Sequence, residues 1–360
     1  MAHRPDLVAA TGRDDPIGAS DESGSTTKGG GVRPPFDGPR FALAAIRIGP
    51  GVMLLSVVLI MAMLSPVFLT TRNVGNVLSQ SAVIAVLALA QLLVIVTRGI
   101  DLSVGSTLAM SAVVGALVFE AMPSGVWVIL AMLATGTLVG AVNGTAFVYG
   151  RLPHPFIVTL ATLSIARGVA LWLSGGQPIQ GMPPIVQELG GGSIGWFPIS
   201  AFLVAGLALL TLLLTTRLVW GRWIYAVGGN PDGAVRAAIP VKRVLISVYV
   251  LSGLAAGVGA VITSGRLNGG SPTFGELAEL DTIAAVVIGG ASFLGGRGNV
   301  GNALIGALMI GVIRNGMNLL NVDAFVQPIV IGVVIVLAVE LDVLRGRLEQ
   351  RLRVLQAARA

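Results

Sequence analysis

Long uncharged apolar runs separated by short polar connections dominate the chain. Asn73–Thr97, Ala121–Gly150, Leu189–Thr216 and Val244–Gly265 are the clearest. A run of about 20 apolar residues is long enough to cross a hydrocarbon core about 30 Å thick. The pattern predicts ten membrane segments, at approximately 50–69, 76–97, 103–121, 126–149, 156–174, 199–216, 244–264, 282–295, 301–321 and 326–343. The eighth is short and interrupted by Gly289, Gly290, Gly295 and Gly296, so a half-helix or a bent helix is expected there. The runs are too long and too numerous for buried strands, and a membrane β-barrel would need short alternating segments instead. The predicted fold class is therefore all-α, a polytopic helical membrane protein. Segments 2–5 and 7–10 are consistent in topology with an inverted repeat.

Composition agrees: 54% of residues are hydrophobic and 11% charged, against about 25% charged in a typical soluble domain. Residues 1–40 are rich in Gly, Pro, Ser, Thr and mixed charge, and read as a disordered tail without a signal-peptide core. The membrane domain is expected over 41–345, with a short tail over 346–360. There is no cysteine. The two histidines, His3 and His154, have no companion ligands, so neither a metal site nor a cofactor is expected.

Charge sets the orientation. With the N-terminus inside, inside loops and tails hold 19 of the 23 lysines and arginines, whereas the outside loops hold only Arg72 and Arg266. Arg167 and Arg314 fall within segments. This asymmetry follows the positive-inside rule and predicts that both termini are cytoplasmic. The net charge of +6 thus needs no nucleic-acid partner, although anionic lipid at the inner surface suits it. Two outside loops, 175–198 and 265–281, are long and rich in Gly and Pro. They are either plain connections or a docking place for a soluble partner.

The most informative inside loop is 217–243, a basic island between two apolar runs. Asn230 suits a helix cap, Pro231 the first helical position and Asp232 the positive N-terminal end, while Pro240 stops the helix. About nine residues remain, roughly 13 Å of helix at 1.5 Å per residue. Gly233 weakens this helix by up to about 1 kcal/mol relative to Ala, which bears on its length.

Four phrases then carry a family resemblance. Thr97-Arg-Gly-Ile-Asp-Leu-Ser-Val-Gly-Ser106, Pro155-Phe-Ile-Val-Thr-Leu-Ala-Thr-Leu-Ser-Ile-Ala-Arg-Gly168, Gly221-Arg-Trp-Ile-Tyr-Ala-Val-Gly-Gly-Asn230 and Val286-Val-Ile-Gly-Gly-Ala-Ser-Phe-Leu-Gly-Gly-Arg-Gly298 stand in order across about 45–345. Together they resemble the branched-chain amino acid/ribose permease family of bacterial ABC importers, its sugar branch in particular. The resemblance implies a homodimeric permease in the cytoplasmic membrane for a monosaccharide or related polyol. It also implies two copies of a cytoplasmic ABC ATPase and a periplasmic or surface-tethered sugar-binding protein. The chain itself has no Gly-x-x-x-x-Gly-Lys-Ser/Thr phosphate loop, in keeping with an ATPase on another polypeptide.

On that reading the 217–243 loop meets the ATPase through Gly229, Asn230, Pro231, Asp232, Ala234, Val235, Arg236, Ala238 and Ile239. Neutral polar residues should line the sugar path: Gln91, Asn143, Thr159 and Thr162 are candidates, although any one of them can equally join helices by hydrogen bonds. An arginine at a helix centre costs at least about 2.5–3.5 kcal/mol on insertion scales. Arg167 is therefore expected either to line the path or to bond helix carbonyls. Arg314, beside Asn315 and Asn318, reads as a structural anchor. Asp101 either pairs with Arg98 or, with Ser103, caps the third segment. An ion-coupled secondary transporter is the rival reading. It calls for carboxylates at mid-membrane, but Glu120, Glu340 and Asp342 all lie near segment ends. A membrane enzyme lacks a catalytic cluster.

Overall fold

The computed structural model describes residues 38–337 together with 339 and 340. The tails expected over 1–40 and 346–360 fall outside these residues, apart from 38–40, which open the first helix. Helices α1 (Gly38–Leu64), α2 (Thr71–Val96), α3 (Val104–Ala121), α4 (Gly125–Tyr149) and α5 (Phe156–Ser174) come first. After α6 (Pro184–Gly191) and α7 (Ile199–Thr216) come the short helices α8 (Val219–Gly229) and α9 (Pro231–Arg236). Then follow α10 (Val241–Leu267), α11 (Ala278–Ile288), α12 (Val300–Leu319) and α13 (Gln327–Leu337).

Among the described residues seven helices are long and apolar enough to span a membrane: α2, α3, α4, α5, α7, α10 and α12. The protein is all-α and polytopic. The shorter apolar stretches Gly49–Leu64 and Gln327–Leu337 overlap the first and tenth predicted segments. The eighth segment is the 11-residue α11, which at 1.5 Å per residue covers about 16 Å, half a hydrocarbon core. It stops at Gly289 and passes into a turn in which Gly290, Gly295 and Gly296 take positive φ.

Helix α2 is the central post. From Ser81 to Val96 it is almost continuously apolar and buried, the pattern of a helix buried all round, and 83% of its most apolar window is buried, against 6% for α7. Helix α7 leaves Phe202, Leu209 and Leu210 exposed, which lipid tolerates and water does not. The most extensive interhelical contact is between α4 and α10, and glycine makes it possible. A Cβ on Gly140 would lie 2.1 Å from the Tyr249 carbonyl oxygen, and one on Gly253 2.0 Å from that of Gly136. Backbones approach this closely only where side chains are absent.

The bundle has two distinct ends. At one, β1 (Ile179–Gln180) pairs antiparallel with β4 (Gly269–Gly270), so the two long loops predicted outside join each other. A β-hairpin of β2 (Ser193–Ile194) and β3 (Phe197–Pro198) lies between α6 and α7. Helix α6 packs on the last turns of α10, where a Cβ on Gly265 would lie 2.0 Å from the Val186 carbonyl oxygen. The other end gathers the last residues of α2, the α8–α9 unit and the turn after α11.

Candidate functional site

At this second end α9 projects from the bundle. Asn230 is extended, and its side-chain oxygen accepts from the Gly233 N–H at 2.9 Å, with Pro231 in the first turn and Asp232 behind it. The cap is where the sequence places it. The helix, however, is six residues long and not nine. It ends when Ala238 adopts φ 56°. Ala238 N–H then bonds the Val235 carbonyl and Ile239 N–H the Ala234 carbonyl, both at 3.0 Å. These two bonds are a Schellman closure with alanine in the place glycine usually takes.

The contact residues divide in two. Gly229, Asn230, Asp232, Val235, Arg236 and Ala238 are exposed, with Val235 at 64%. Ala234, expected to face a partner, is buried at 4% in the chain's own core, while Pro231 and Ile239 are half-buried. The outward face of α9 is therefore narrower than expected, an apolar Val235 beside the charge of Arg236. Basic residues crowd the same end: Arg98 bonds α8, and Lys242 Nζ lies 5.7 Å from the centre of the Tyr149 ring.

Three of the four sequence phrases meet directly beneath α9. Arg98 Nε donates to the Gly228 carbonyl at 2.6 Å and its Nη2 to the Gly229 carbonyl at 2.9 Å. These are the last carbonyls of α8, the negative end of that helix, where a guanidinium is stabilising. Arg98 takes φ 66° to make this reach. Gly296 N–H donates to the Val96 carbonyl at 2.8 Å, and the Tyr225 hydroxyl to the Gly298 carbonyl at 2.9 Å. A Cβ on Gly228 would lie 1.7 Å from the Val96 oxygen. The base of α9 is thus locked to the end of α2 and to the turn joining α11 and α12.

Asp101 does not pair with Arg98. Its Oδ1 accepts from Ser103 N–H at 2.9 Å and Ser103 Oγ at 2.7 Å, and its Oδ2 accepts from Ser252 Oγ at 2.7 Å. Ser103 holds the N-cap position of α3, but its side chain makes no capping bond because it turns to Asp101. Asn143 donates to Ser103 Oγ at 2.9 Å, and Thr162 donates to Asn143 Oδ1 at 2.6 Å. Thr159 Oγ1 donates to the Ile100 carbonyl at 3.1 Å. Asp101, Ser103, Asn143, Thr159 and Thr162 therefore tie α4, α5 and α10 to the loop before α3. Burial pushes the Asp101 carboxyl above its ordinary range, and its hydrogen bonds offset part of that rise.

The remaining candidates lie elsewhere. Gln91 is fully buried in α2, and neither its side-chain nitrogen nor its oxygen has a hydrogen-bond partner. Arg167 reaches the opposite end and donates to the carbonyls of Pro272 and Phe274, the latter at 3.0 Å. Those carbonyls belong to the loop before α11, not to a helix. Arg314 is an anchor with a specific partner, Asp281, at 2.6 Å. Asn315 and Asn73 exchange two amide hydrogen bonds of 2.9 Å. Ser252 and Asp281 escaped the sequence reading because their partners lie far away in the chain.

Residues 73–339 match the family model described as "Branched-chain amino acid transport system / permease component". The chain belongs to this family. It is 40% identical over 301 residues to the ribose import permease of Bacillus subtilis (strain 168), covering 82% of this chain and 92% of that protein. It is 38% identical over 307 residues to the D-allose transport system permease of Escherichia coli (strain K12), covering 84% and 93%. Identity to the xylose transport system permease of Haemophilus influenzae (strain ATCC 51907 / DSM 11121 / KW20 / Rd) is 32% over 369 residues, covering 84% and 98%. No solved structure matches.

Proposed function

We propose that this chain is the membrane-spanning subunit of an ATP-driven ABC importer for a monosaccharide or related polyol. It lies in a bacterial cytoplasmic membrane with both termini inside, and two copies form the path. The observation that carries the reading is α9, a capped helix at the arginine-rich end whose base is bonded to the end of α2 and to the turn joining α11 and α12. An element that receives work from an ATPase needs a rigid outward surface and a stiff connection to the membrane helices. Helix α9 has both, in Val235 and Arg236 outward and the Arg98 bonds inward. A sugar-binding protein would deliver substrate at the opposite end, where β1–β4 and α6 lie. The chain's relatives include importers named for ribose, allose, fructose and xylose. A neutral sugar of five or six carbons is therefore the substrate class.

The test is association with the cognate ATPase in detergent. Arg236→Glu and Gly233→Pro should each weaken co-purification and leave membrane insertion intact. Gly233→Pro removes the N–H that Asn230 holds. Unchanged co-purification of both variants would remove α9 from its coupling role.

A further inference from the structure

At the end opposite α9 a cavity of about 430 Å³ opens between α2, α10, α11, α12 and α13. We infer that it is a subsite for a neutral polyhydroxy ligand, the permease's own sugar-binding position on the entry side. This rests on the import reading above and adds a place for the substrate. The volume falls in the range of about 300–1,000 Å³ usual for small-molecule sites.

The wall is built by helical spacing. Asn76, Ser79 and Gln80 form one face of α2 at i, i+3 and i+4, and Val83 and Ile84 continue that face one turn deeper. Polar groups thus ring the mouth while an apolar floor closes the way inward, as a binding cup open to one side requires. The side-chain amides of Asn76 and Gln80 take part in no hydrogen bond within the described residues. Each offers both a donor and an acceptor.

The lining charges select the class. Arg266 and Arg314 are balanced by Glu276 and Asp281, so the cavity carries no formal net charge to attract an ion. One pair is already closed, Arg314 to Asp281 at 2.6 Å. A sugar needs only the free amides; whether an amino acid binds instead is decided by the leucine control. Asp281 is only 4% exposed, so its pair with Arg314 is structural and leaves ligand contacts to the amides of Asn76 and Gln80.

The experiment is saturation-transfer NMR on the full chain in lipid nanodiscs. The probe is whichever of D-ribose, D-xylose, D-allose and D-fructose the assembled transporter takes up, or D-ribose if none is. L-leucine is the control. Wild type should transfer saturation to the sugar and not to leucine. Gln80→Leu, at a half-buried position, and Asn76→Leu, at an exposed one, should each weaken sugar binding at least about fivefold, the loss expected for about one net hydrogen bond. Both should co-purify with the ATPase as wild type does. No transfer to sugar in wild type, equal transfer in both variants, or stronger transfer to leucine overturns the site. ATP-driven uptake alongside any of these results sinks the subsite alone. Sugar binding lost in the variants but without ATP-driven uptake sinks the import reading alone.

Discussion

Asn230, Ala238 and Arg98 decide whether α9 is a rigid object. Asn230 contributes one cap, and its replacement by alanine should destabilise the helix by about 1 kcal/mol. The effect should appear as faster amide exchange at Gly233 with membrane insertion unchanged. Ala238 holds a left-handed conformation that costs a residue with a Cβ roughly 1–2 kcal/mol. Ala238→Gly should therefore raise protease resistance of the 217–243 loop, and Ala238→Val should lower it. No sequence pattern marks an alanine for left-handed backbone, and so the helix reads as nine residues when it has six. Arg98→Gln should leave α9 formed but loosely seated. ATPase association should then survive, while sugar moved per ATP hydrolysed falls severalfold, as expected when charged hydrogen bonds worth about 1.5–3 kcal/mol are lost. An unchanged ratio would mean that these bonds only hold the loop in place.

The interfaces between elements rest on small residues and on one buried polar network. Gly140→Val forces a side chain into the Tyr249 backbone and should cost several kcal/mol, read as loss of folded protein in detergent. Gly206→Val in α7 meets nothing within 4 Å and should be tolerated, which makes it the matched control. Helix positions were legible from the apolar runs because a membrane demands long uncharged stretches. For example, 199–216 was expected and Ile199–Thr216 is found. The polar network was legible only in its members. Asp101, Ser103, Asn143 and Thr162 stood out one by one. Their assembly depends on Ser252, 151 residues from Asp101 in the chain, and on how α4, α5 and α10 pack. Gln91 is polar, yet its side chain lies fully buried in α2, because sequence shows that a group is polar without showing what it faces.

The whole molecule presents an arginine-rich end bearing α9 and an opposite end bearing a polar cup, joined by the apolar post α2. Work applied at Val235 and Arg236 has a bonded route to the end of α2 and to the turn joining α11 and α12, and all three of those helices border the cup. On the proposed function this arrangement serves an ATP-dependent gate, whereas an ion-coupled carrier is the rival reading. Uptake of radiolabelled sugar into reconstituted vesicles tests that claim most directly. The account predicts uptake only when ATP, the ABC ATPase and the sugar-binding protein are all present. Uptake by this chain alone, driven by a proton or sodium gradient, would contradict it.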